Sequence, residues 1–85
     1  MKTLAKAVFK TAAFVALGDE GVVTLDGKVA IIEEISSGLQ TASAREVAAI
    51  RTALKELVAE ERAGSARKDV ITFYKGFMQG FLPER

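Results

Sequence analysis

Ser43 and Glu46 stand three residues apart at the head of a periodic apolar run, and that pair constrains the chain more than any other feature. The S-x-x-E spacing is that of a capping box, in which each side chain satisfies a backbone N–H that a helix start leaves unpaired. Val47, Ile50, Leu54, Leu57 and Val58 then recur at three- and four-residue steps and share one stripe. Gly64 is expected to close this helix in a left-handed conformation. One apolar stripe on a helix must be covered, so the rest of the chain is read as what packs upon it.

Residues 3–17, TLAKAVFKTAAFVAL, predict a first helix closed by Gly18. Lys2, Lys6 and Lys10 form a narrow polar wedge on it, and Leu4, Val8, Ala12 and Val15 line the opposite side, widened by Phe9, Phe14 and Leu17. Asp19-Glu20-Gly21 reads as a turn. The next stretch carries two patterns. Residues 22–32 have the form of a β-hairpin about Asp26-Gly27, a type I′ pair. With Asp26 as N-cap the same stretch is a helix that places Val29, Ile31, Ile32, Ile35 and Leu39 on one broad face. Neither face of the hairpin alternates cleanly. A helix over 27–37 ended by Gly38 is therefore expected, with the hairpin as the minor alternative.

Asp69 is placed to cap a last helix, Val70 to about Phe81, that ends before Pro83. Val70, Phe73, Tyr74, Phe77, Met78 and Phe81 cover about half of its circumference. Gly76 and Gly80 form a G-x-x-x-G that would let another backbone approach closely, and each costs roughly 1 kcal/mol of helix propensity. The expected architecture is all-α: one domain over 1–85, a small bundle of three to four short helices with residues 43–64 as its spine.

Function is constrained mainly by what is missing. The chain has no cysteine and no histidine among its 85 residues, which removes disulfides, thiolates, the commonest general base and the usual zinc ligands. Ser36 and Ser37 lack a nucleophile elbow. Glu33 and Glu34 diverge around a helix, and Asp19, Glu20 and Asp26 lack the ligand order of a calcium loop. No nucleotide-binding glycine motif occurs. A non-enzymatic protein with no cofactor, no metal and no small-molecule substrate is expected. A net charge of +1 supplies no general attraction to nucleic acid or anionic membrane. The longest apolar run, Thr11–Leu17, is far below the roughly 18–20 residues of a membrane span. Lys10 interrupts a signal-peptide-like start, so a cytoplasmic location is expected.

A hydrophobic content of 49% and a mean hydropathy of +0.20 are high for so small a domain, and indicate a second buried surface. The expected function is association: a homo-oligomer, an adaptor or a small inhibitor of a larger protein. The aromatic face of the last helix, Val70, Phe73, Tyr74, Phe77, Met78 and Phe81, is the first candidate for the partner-binding surface. Arg51, Lys55 and Glu61 join it because the central helix is polarised, with Arg51, Lys55 and Arg62 on one flank and Glu46, Glu56 and Glu60 on the other. Glu61 falls inside the apolar stripe, at whose end it either reaches solvent or awaits an Arg or Lys from a partner. Two alternatives compete. A nucleic-acid-associated regulator would use the basic cluster Arg62, Arg67 and Lys68, although the start of the central helix offers Glu46 beside Arg45 where a recognition helix should be basic. Peripheral membrane attachment would use the lysine row of helix 3–17.

Overall fold

The capping box closes as its spacing requires: the Ser43 hydroxyl accepts from Glu46 N at 3.1 Å, and Ser43 N donates to Glu46 Oε1 at 2.9 Å. In the computed structural model, which describes residues 2–18 and 24–84, this box starts the helix Ala44–Ala63, the third of four. We label the helices α1 (Lys2–Ala16), α2 (Leu25–Gln40), α3 (Ala44–Ala63) and α4 (Lys68–Gly76), with a π-helical turn, Phe77–Phe81, continuing α4. The chain is all-α, with no strand among the described residues. The readings of Asp19-Glu20-Gly21 as a turn and of Val22 and Val23 as strand lie outside the described residues.

The α3 stripe is buried as its periodicity requires: Val47, Ile50, Leu54, Leu57 and Val58 all lie in the core, together with Ala53. α1 and α4 pack on α3 and on each other, and α2 packs against α1. Helix α1 turns a different face inward from the one its largest aliphatic residues suggest. Ala5, Phe9, Ala12 and Ala13 are buried, whereas Leu4 and Val8 are exposed. Phe9, buried edge-on against Phe77, anchors this face, and ion pairs with α3 flank it. Lys2 reaches Glu56 at 3.1 Å, and Lys6 reaches Glu56 at 3.2 Å and Glu60 at 2.5 Å. The lysine edge therefore lies against α3, and the alanines next to it let the helices approach.

Four helix ends differ from the sequence reading. α2 starts at Leu25, capped by Thr24, whose hydroxyl accepts from Gly27 N at 3.1 Å, so Asp26 sits in the first turn and Gly38 lies inside the helix. The hairpin is thereby excluded from Thr24 onward. Gly64 is not left-handed; its φ is −103°, and the left-handed residue is Ala66 at φ 52°, whose N–H donates to Glu61 O. At the head of α4, Arg67 rather than Asp69 holds the cap position, and among the described residues Asp69 accepts from its neighbour Val70 N alone.

Three glutamates are held below the ordinary carboxylate value of 4.5. Glu46 is lowered by the Ser43 N–H and hydroxyl, Glu56 by Lys2 and then Lys6, and Glu61 by the Arg67 side chain and then its N–H. A lowered folded-state value stabilises the fold above the unfolded value, and that stability is lost as pH falls through the folded value. Urea midpoints should be flat from pH 7 to about 5 and fall progressively below about 4.5. A midpoint that stays level to pH 3 would contradict these pairings.

Candidate docking surface

The aromatic face of the last helix lies mostly inside the protein. Val70, Tyr74 and Phe77 are buried, and Phe73 and Met78 are half-buried against the same core. Phe77 meets Phe9 of α1 edge-on at 5.1 Å and Phe73 at 5.2 Å. Only Phe81 is exposed, at 41%. It belongs to the π-helical turn, in which Leu82 N donates to Phe77 O. That wider turn displaces Phe81 from the inward register of a regular helix and sets its ring 5.3 Å from Phe77. Gly76 and Gly80 face open space, so no backbone among the described residues uses their G-x-x-x-G spacing. Gly76→Ala should therefore raise stability by about 0.5–1 kcal/mol, read from urea midpoints; a loss of stability would show that the open space is needed.

Exposed apolar side chains fall in two places: Phe14 and Leu17 at the C-terminal end of α1, and a longer surface made by α2 with Leu4, Val8 and Phe81 beside it. Of the 16 residues of α2, only Leu39 is buried. Ile31, Ile32 and Ile35 are half-buried, and Leu25 and Val29 are 62% and 45% exposed. Two open grooves run along the helix. One, of about 400 Å³, lies against α1 and α3 and is lined by Leu4, Val8, Ile35, Leu39 and Ile50. The other, of about 380 Å³, lies against the C-terminal turn and is lined by Val29, Ile32, Glu33, Ser36 and Phe81. α2 is held by few polar contacts: Lys28 Nζ donates to Gly18 O at the end of α1, and Gln40 donates to Phe81 O at 3.3 Å.

The charges sort into satisfied and unsatisfied sets. Glu61, whose side chain is only 10% exposed, is bound by Arg67 through Nη2 at 2.9 Å, Nε at 3.3 Å and the backbone N at 3.3 Å. The cation that Glu61 needs is thus supplied by its own chain, and Arg67 is withdrawn from the basic cluster with Arg62 and Lys68. Lys2 and Lys6, two of the three lysines in the α1 row, are engaged on α3. By contrast Arg51, Lys55 and Arg62 on the other flank of α3 form no ion pair with any described residue, and neither do Asp26, Glu33 and Glu34 of α2. No three carboxylates converge as metal ligands among the described residues, and no described helix is long and apolar enough to cross a membrane.

The sequence reading rests association on the wide apolar faces of the first and last helices; the last is mostly buried, while the first leaves Leu4, Val8, Phe14 and Leu17 exposed. The signal for α2 is present in its composition: six large aliphatic residues on a helix with acids at Asp26, Glu33 and Glu34. Comparison with protein-family models, with curated proteins and with solved structures finds no match.

Proposed function

We propose that this protein is non-enzymatic and acts in the cytoplasm by associating with another protein surface through α2. The observation that carries the reading is that α2 buries one residue in sixteen while it presents Leu25 and Val29 to solvent. Exposed apolar surface flanked by polar residues is the usual form of an association site. The two grooves beside α2 suit the insertion of apolar side chains from a facing helix. The two competing readings are weaker, because the cations on which they rely are partly spent: Arg67 is bound to Glu61, and Lys2 and Lys6 to Glu56 and Glu60.

The test is the molar mass by light scattering of the wild-type chain and of Leu25→Gln/Val29→Gln. Both side chains are exposed, so the variant should keep its helicity and its urea midpoint. The reading predicts that the wild type exceeds its 9.1 kDa monomer mass as concentration rises and that the variant does so far less. Equal masses for the two chains would overturn it.

A further inference from the structure

We propose that the occupant of the α2 face is a second copy of this chain, docked by the basic flank of α3. This inference rests on the association reading above and names its partner. Asp26 and Glu33 are seven residues apart on α2, and Lys55 and Arg62 are seven residues apart on α3. Both separations are two helical turns, about 10 Å along the axis. All four side chains are exposed, and none forms an ion pair with a described residue. One register therefore satisfies both pairs at once.

The apolar residues agree with that register. On α2 the acidic edge adjoins Leu25 and Val29; on α3 the basic edge adjoins the exposed small residues Thr52 and Ala59. Projected at 100° per residue, the acidic edge lies about 70° to one side of the α2 apolar line. The basic edge lies about 60° to the opposite side of the α3 small-residue line. Two helices carrying such mirrored edges bring both into contact when they run parallel, with Asp26 opposite Lys55 and Glu33 opposite Arg62. Leu25 and Val29 then lie over Thr52 and Ala59, where small side chains permit close approach. Lys2, Lys6, Glu56, Glu60, Glu61 and Arg67 take no part, since they are paired within the chain. Charges complementary across an interface fix its register and exclude wrong partners, while the apolar strip supplies burial. Each copy carries both faces, so the contact is made twice in a two-fold dimer or repeats head to tail.

Charge reversal and recombination test this. Asp26→Lys/Glu33→Lys and Lys55→Glu/Arg62→Glu change only exposed positions, and circular dichroism should show unaltered helicity. Each variant alone should remain at monomer mass, with its dissociation constant raised about tenfold or more over the wild type. The equimolar mixture should recover the wild-type mass, because one chain keeps a native α2 and the other a native α3. Wild-type association should also weaken as salt rises from about 0.05 to 0.5 M. If both variants associate as the wild type does, while Leu25→Gln/Val29→Gln lowers the mass, the association reading stands and the charge-directed copy is overturned. Failure of the mixture to recover also overturns it. A wild type that stays monomeric at every concentration overturns both. If that monomer retards duplex DNA, and the retardation is lost in Lys55→Glu/Arg62→Glu, the α3 flank is a nucleic-acid surface instead.

Discussion

Phe77→Ala is expected to destabilise the protein by about 3–5 kcal/mol, as for other fully buried phenylalanines. Phe77 is 2% exposed and meets Phe9, Phe73 and Phe81, so its removal opens a cavity where α1, α4 and the C-terminal turn converge. An 85-residue domain has about 4–13 kcal/mol of stability in all, so this variant should lose at least about a quarter of it. The companion variant Phe81→Ala, at a position 41% exposed, should cost about 1–2 kcal/mol, consistent with partial burial. The contrast distinguishes a core face from a docking face. If Phe77→Ala folds with an unchanged urea midpoint, the last helix does not close the core in the way described.

Leu54→Ala is the second large effect, at about 2–5 kcal/mol. Leu54 is among the largest fully enclosed side chains and lies midway along α3, the helix on which α1 and α4 both pack. Shortening it leaves a void that those neighbours cannot fill without sliding on α3, and α1 is fixed there by the Lys2 and Lys6 pairs. Leu54→Met nearly conserves volume and should cost less than about 1.5 kcal/mol. Urea denaturation of the two variants reads the difference. Similar costs for both would show that the site tolerates collapse and is not the fixed centre of the bundle.

What could be read from the sequence follows from how local the signals are. Everything that fixes α3 lies within it: the Ser43–Glu46 box and the full stripe from Val47 to Val58, all of it buried. α1 was legible as a helix but not in orientation. Its apolar residues encircle most of the axis, and the face turned inward meets groups far along the chain: Phe77 against Phe9, and Glu56 and Glu60 against the lysines. At α2, two capping residues, Thr24 and Asp26, stand two apart, and Thr24 takes the role. At α4, Asp69 carries the stronger capping signature, but Glu61 binds the N–H and the guanidinium of Arg67 and thereby sets where the chain re-enters a helix. The π-helical turn has no local signature. The aromatic residues of α4 read from the sequence as a docking face, because nothing within α4 reveals that Phe9 covers Phe77.

The most direct measurement for the central claim is amide hydrogen exchange, residue by residue, at low and high protein concentration. The account predicts that raising concentration slows exchange along α2 from Leu25 to about Ser37 and along the Thr52–Arg62 side of α3, and leaves Val70–Phe81 unchanged. Slowing confined to Val70–Phe81, or no concentration dependence anywhere, would contradict it.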